Sequence, residues 1–192
     1  MIKVFLVEDE TIIRQGIKNN IDWRSNGFEL VGEAGDGEYA YPMILKSQPD
    51  ILLTDVKMPF MDGLELSRLV KKALPRTKII VISGYNEFDY AKEAIKIGIS
   101  DYLLKPVTSA SLMDALKKVS DQIFEEQENS RLLERYFINY EKYMAFPDKS
   151  DYSGVDRKLI RNFLKTGNIE ECGICIDEYF EAVGEGNYMS LL

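Results

Sequence analysis

Four apolar runs of the chain each end on a residue able to handle a metal ion or a phosphoryl group. Residues 2–7 (IKVFLV) lead into Glu8 and Asp9, and 51–54 (ILLT) into Asp55. Residues 79–82 (IIVI) lead into Ser83, and 102–104 (YLL) into Lys105. If these runs are parallel strands of one sheet, the groups converge beyond the carboxyl ends of the strands, where open α/β sheets bind ligands. Carboxylates crowded into one pocket repel, which raises the pKa of at least one of them unless a cation intervenes. Mg²⁺ suits such a pocket because it takes oxygen ligands and keeps several waters. One carboxylate can then act as a nucleophile toward phosphorus while the metal offsets the developing charge. Asp55 is the candidate, because it ends the most central-looking run. Ser83 offers a hydroxyl to a phosphoryl oxygen, and Lys105 a point charge. Each alone has a plainer explanation: a cap, a turn residue before glycine, a solvated lysine. Their joint occurrence at strand ends argues for a site. Pro106 follows Lys105 directly, and a cis Lys-Pro bond would aim the ammonium inward.

The elements that must position these groups alternate. Strands are expected at 2–7, 28–34, 50–55, 77–83 and 100–104. Helices are expected near 10–20, 37–47, 62–72, 87–97 and from 108 on. Alternation with short turns argues for a parallel sheet covered on both faces, and unbroken runs such as IIVI fit strands buried on both sides. Gly27, Asp36-Gly37, Asp62-Gly63 and Gly98 mark boundaries. Pro42 should delay or kink the second helix, since it lacks a donor.

Residues 108–144 carry no glycine or proline and read as one long helix or two abutting ones. Leu112, Leu116, Val119, Ile123, Leu133, Phe137, Tyr140 and Met144 keep a heptad spacing if Glu126 and Ser130 fill the gap. Up to residue 119 that stripe should pack on its own domain; past Ile123 a seam with another chain or domain becomes an equal possibility. A break rich in Asp, Ser and Pro spans 147–154, and two further helices are expected near 155–165 and 169–183. Three segments result: a domain at 1–120, a linker helix at 121–147 and a partial helical region at 148–192, which suggests a fragment of a longer protein.

The motifs VEDE (7–10), TDVKMPFMDG (54–63), ISGY (82–85) and DYLLKPV (101–107), in this order and spacing, resemble the receiver domains of bacterial two-component response regulators. The resemblance covers about residues 1–120. It implies a five-stranded, parallel, doubly wound (flavodoxin-like) fold, followed here by the long linker helix and a small helical segment. It also implies Mg²⁺-dependent transfer of a phosphoryl group from a sensor histidine kinase to Asp55. Asp9 and Asp55 would ligate Mg²⁺ with the backbone carbonyl of Lys57, and Glu8, standing where many members have Asp, would hold a metal-bound water. Ser83 and Lys105 would contact the phosphoryl group, and Tyr102 would be the switch aromatic. Lys57 and Tyr85 occupy positions that tune phosphoryl lifetime. Such a protein is a phosphoacceptor with self-catalysed transfer and slow autodephosphorylation rather than an enzyme. The carboxyl-terminal part resembles regulators that end in an AraC-type helix-turn-helix domain. That implies a transcription output, a homodimer on activation, and DNA binding only through a domain outside this chain.

Composition narrows the field. The 192 residues are 45% apolar, enough for a sizeable core. A net charge of −8 disfavours direct contact with nucleic acid phosphates. Histidine is absent, so a phosphohistidine donor must belong to a partner. No run of apolar residues is long enough to span a membrane, and the amino terminus turns acidic by residue 8, so a cytoplasmic location is expected. Cys172 and Cys175 are too few for a structural zinc site and read as small apolar residues on a helix, or as a regulatory thiol pair. A haloacid-dehalogenase-like phosphatase would want a second Asp two residues after the nucleophile, where Lys57 stands. A receiver-like interaction module without phosphorylation would be favoured by loss of Asp55 or Lys105, and both are present.

Overall fold

The structure is a computed structural model and describes residues 1–84 and 88–144, with side chains to Leu132 except those of Phe88, Asp89 and Ala91. Tyr85, the expected break at 147–154, the expected helices near 155–165 and 169–183, and the Cys172/Cys175 pair lie outside the described residues. The chain divides into two compact units, Met1–Glu125 and Glu126–Leu192. In the first, five strands alternate with helices: β1 (Ile2–Val7), α1 (Thr11–Asn20), β2 (Phe28–Ala34), α2 (Gly37–Ser47), β3 (Ile51–Asp55), α3 (Gly63–Ala73), β4 (Lys78–Ser83), α4 (Phe88–Ile97), β5 (Asp101–Leu104) and α5 (Ser109–Met144). In the second unit the described part is the end of α5.

All strand pairs are parallel, in the order β2-β1-β3-β4-β5. This is the parallel sheet covered on both faces that the alternation predicts, with the five-stranded, doubly wound topology that the resemblance implies. The order reverses between β1 and β3, so the crevice that binds ligands in such sheets lies at the ends of these two strands. The unbroken apolar runs are explained by burial on both faces. Ile2, Val4, Leu6, Ile51, Leu53, Ile80 and Ile82 pack beneath α1 and α5 with Ile17, Leu112, Leu116, Val119 and Ile123. Phe5, Val7, Leu52, Ile79 and Val81 face Ala40 and Ile44 of α2, Leu64, Leu66 and Val70 of α3, and Ala94 of α4. Truncating fully buried Leu53 to Ala would remove about 2–5 kcal/mol of stability.

Two expectations are sharpened. Helix α2 begins at Gly37, capped by the Asp36 side chain accepting from Tyr39 N, and carries Pro42 in its interior, so its start is not delayed. The ring is exposed, and only the carbonyl one turn back loses its donor. Along α5, the heptad stripe from Leu112 through Ile123 is consumed by the core of the first unit. Any seam must therefore use residues beyond it.

Close approaches constrain the loop from β3 to α3. A Cβ on Gly63 would lie 1.8 Å from the Asp55 carbonyl oxygen, and one on Gly37 would lie 2.7 Å from that of Met61. Between them, Phe60 adopts φ 67° inside a three-residue turn closed by Met61 N donating to Pro59 O at 2.9 Å. Such turns are strained for a side-chain-bearing residue, and Phe60 points into solvent at 84% exposure.

Candidate functional site

The β3 strand is buried along its whole length and delivers Asp55 to the sheet edge at 4% exposure. Its carboxylate is held from two sides. Val56 N donates to Oδ1 at 2.7 Å, and Lys105 Nζ donates to Oδ2 at 2.7 Å. Behind it, Gly63 N donates to Val56 O at 2.9 Å, which draws the start of α3 against the Asp55 backbone. That approach is possible only because residue 63 has no side chain.

Glu8 and Asp9 follow β1, the adjacent strand. Glu8 N donates to Ala34 O at 3.1 Å, tying the turn to β2. The Glu8 side chain is fully buried: Oε1 accepts from Lys105 Nζ at 3.1 Å and from Glu10 N at 3.3 Å, while Oε2 has no partner among the described residues. Asp9 is the least buried of the three acids, and one oxygen from each of Glu8, Asp9 and Asp55 lies within 4.8 Å of the others.

Lys105 comes from the other side of the sheet. Its backbone N donates to Ser83 O at 2.7 Å, which extends the pairing of β4 with β5, and the Lys105–Pro106 bond is cis as expected. Its ammonium reaches Glu10 at 3.5 Å as well as Glu8 and Asp55. Ser83 is buried at the end of β4 with its hydroxyl donating to Gly84 O at 2.9 Å. Tyr102 is half-buried against the core on the α2–α3–α4 face, paired with Val81 across the sheet. The Lys57 side chain is exposed, with Nζ 6.0 Å from the centre of the Tyr90 ring of α4. Glu8, Asp9, Asp55 and Lys105 thus meet at one point; Ser83 shares their edge, and Tyr102 lies on the neighbouring strand against the core.

Burial, and next the charge of Asp55, push the Glu8 carboxyl up to about 7, against the pull of Lys105. Burial works against the Lys105 ammonium, but its hydrogen bond to Asp55 and the charges of Asp55 and Glu8 prevail and hold its pKa above the ordinary lysine value. The acids of the cluster thus repel one another at close range. A buried carboxylate oxygen without a donor, beside two more acids within ligand spacing, is the donor set of a hard divalent cation.

Three residues escaped the sequence reading. Glu10 contacts Lys105, and its only signal was membership of the acidic run after β1. Gly63 looked like a helix boundary, and its tight fit against Asp55 is invisible without coordinates. Arg14, one turn into α1, turns its guanidinium back to the carbonyls of Glu8 and Asp9.

A five-stranded parallel sheet with an acidic cluster and a lysine at its switch point defines a receiver. Consistently, residues 4–117 match the family described as the response regulator receiver domain, and the chain belongs to that family. Over 119 residues it is 46% identical to the uncharacterized transcriptional regulatory protein YesN of Bacillus subtilis (strain 168), covering 62% of this chain and 32% of YesN. It is 37% identical over 134 residues to the transcriptional regulatory protein HptR of Staphylococcus aureus (strain N315), covering 69% of this chain and 52% of HptR. The chain thus spans about a third to a half of these curated relatives. Among solved structures, the receiver domain of AraT, a response regulator from Geobacillus stearothermophilus, superposes with TM-score 0.62 at 45% identity, covering 65% of this chain and 97% of that one. A two-component transcriptional regulator AraC from Clostridium phytofermentans ISDg superposes with TM-score 0.61 at 38% identity, covering 66% and 98%. No described helix is long and apolar enough to cross a membrane.

Proposed function

We propose that Asp55 accepts a phosphoryl group from the phosphohistidine of a sensor kinase, with Mg²⁺ at the acidic cluster, and that this switches a transcription output. The observation that carries the reading is the buried Asp55 carboxylate, hydrogen-bonded to Lys105 and within ligand spacing of Glu8 and Asp9. Asp9, Asp55 and the Lys57 carbonyl would hold the cation, and Glu8 a water on it. When bound, Mg²⁺ supplies positive charge to the phosphoryl oxygens.

The chain's own groups do the rest. Asp55 Oδ1 is fixed by the Val56 amide, whereas Oδ2 is held by a flexible lysine. The free electron pair is therefore offered by Oδ2. It bonds to phosphorus as the bond from phosphorus to the donor imidazole nitrogen breaks, and the imidazole leaves with that electron pair. The Lys105 ammonium, released from the carboxylate it had neutralised, moves to a phosphoryl oxygen, and the Ser83 hydroxyl turns from Gly84 O to another. Burial of Asp55 limits water access and slows hydrolysis of the acyl phosphate. Aspartate is regenerated, so the chain is a phosphoacceptor that catalyses its own turnover and not an enzyme on external substrates. The phosphoryl group held by Ser83 would draw the end of β4 inward and leave room for Tyr102 to rotate in.

The relatives' names support a transcription output; to that we add, as part of the same reading, DNA bound by a domain outside these residues, association of two copies on activation, and a cytoplasmic setting. We assign residues 1–120 to the receiver, 121–147 to a linker helix and 148–192 to a region preceding the output domain. Incubation with acetyl phosphate and Mg²⁺ followed by intact mass measurement tests the assignment. One phosphoryl group should appear, and Asp55→Asn should abolish it; undiminished uptake in that variant would remove Asp55 from the role.

A further inference from the structure

Arg14 plays no part in the proposed transfer, yet its side chain is committed entirely to the loop that carries two of the acids. Its Nη1 donates to the Glu8 carbonyl and lies 3.4 Å from that of Asp9, and its Nη2 lies 3.4 Å from Thr11 Oγ1. On its other side the guanidinium rests against Gly35, where a Cβ would come to 3.4 Å from Nη1. The fork thus spans the turn from β1 to α1 while leaving the carboxylates themselves open. Helix α1 has no side-chain cap: its N-cap residue is Glu10, which makes no capping hydrogen bond. Arg14 is therefore the side chain that ties this turn to the helix.

We infer that Arg14 is a positioning residue for the divalent cation: by clamping the Glu8 and Asp9 peptide groups, it orients their carboxylates toward Asp55. This inference rests on the metal reading above. Two arguments favour positioning over a purely structural role. Removing a group that orients metal ligands from behind typically costs roughly ten- to hundredfold in metal affinity. In addition, Glu8, Asp9, Glu10 and Asp55 crowd the site around the ammonium of Lys105. A second cation fixed behind the loop lowers the cost of holding these acids together without competing for their oxygens. Arginine suits this because its planar fork can address two carbonyls and a hydroxyl at once, while an ammonium is a point charge.

The test uses the whole chain, with Mg²⁺ alone as probe. Calorimetry gives the dissociation constant, and phosphoryl uptake from acetyl phosphate across a Mg²⁺ series separates the half-saturating concentration from the saturating rate. Arg14→Ala should weaken Mg²⁺ binding roughly ten- to hundredfold and raise the half-saturating concentration equally, with the saturating rate unchanged. Arg14→Lys keeps the stem and the charge but not the fork, and should recover only part of the loss. It also decides the matter if the Ala variant does not fold. Wild-type affinity in Arg14→Lys, or in a folded Arg14→Ala, overturns the inference. So does a saturating rate that falls while the Mg²⁺ constant stays put. An unsubstituted protein that binds no Mg²⁺ would instead sink the metal reading itself.

Discussion

Mg²⁺ should bind this protein with expulsion of a proton, and the size of the effect follows from Glu8. Its carboxyl is raised from 4.5 to about 7 in the metal-free fold, first by burial and then by Asp55. A nearby cation favours the ionised form, so binding and protonation compete. The apparent dissociation constant then scales as one plus the ratio of protonated to ionised Glu8. That factor is about 11 at pH 6 and about 1.1 at pH 8, a roughly tenfold gain in affinity, or ~1.4 kcal/mol. Calorimetry in two buffers of different ionisation enthalpy should show about 0.9 proton released per ion at pH 6 and about 0.1 at pH 8. Glu8→Gln should flatten both trends. The same shift acts on stability with a definite sign. A carboxyl whose folded pKa is raised stabilises fully below its unfolded value and loses that contribution as pH climbs through the folded one. Without metal, stability should therefore drop between about pH 4.5 and 7, by on the order of 3 kcal/mol at most, and Mg²⁺ should restore it. A Mg²⁺ constant that does not change between pH 6 and 8 in the unsubstituted protein would refute the buried-proton argument.

Three further outcomes are expected. Gly63→Ala places a methyl 1.8 Å from the Asp55 carbonyl; overpacking of this kind costs ~1–3 kcal/mol, measurable by urea denaturation, and phosphoryl uptake should fall with it. Lys105→Gln removes the charge that pulls the Glu8 pKa down, so that carboxyl should titrate higher by NMR, while uptake from acetyl phosphate slows by roughly a hundredfold; an uptake rate equal to wild type would count against Lys105 as the phosphoryl contact. Ile95 and Leu104 are 79% and 52% exposed on α4 and β5, so the beryllofluoride form should self-associate about tenfold more tightly than the free protein, a difference of ~1.4 kcal/mol. Ile95→Glu should erase the difference in sedimentation, and equal association of both forms would argue against this face.

Elements buried on both sides were the easiest to read. ILLTD and KIIVIS have no polar face to hide their periodicity, and both are buried nearly throughout. Asp36 and Asp62 announced helices because a short acid before Gly can accept from the first turn, and each does so here. What stayed hidden depends on depth or on side-chain reach. Nothing in VEDE reveals that Glu8 is wholly buried while Asp9 and Glu10, the acids that follow it, are more open. Period alone cannot say whether a stripe such as Leu112, Leu116, Val119 and Ile123 meets its own domain or another chain; these residues join the core of their own unit. Arg14 was overlooked because an arginine in a helix's first turn carries no sign of which way its long stem folds.

The ammonium of Lys105 reaches back across 97 residues of sequence to Glu8 and 50 to Asp55. During synthesis the two acids emerge first, at the ends of neighbouring strands, and lack this ammonium until β5 arrives. If Asp55 is the phosphoacceptor proposed above, the nascent domain gains its lysine contact only when β5, the last strand made, has docked. A chain that stops short of β5 would carry the acids without the ammonium that bridges them.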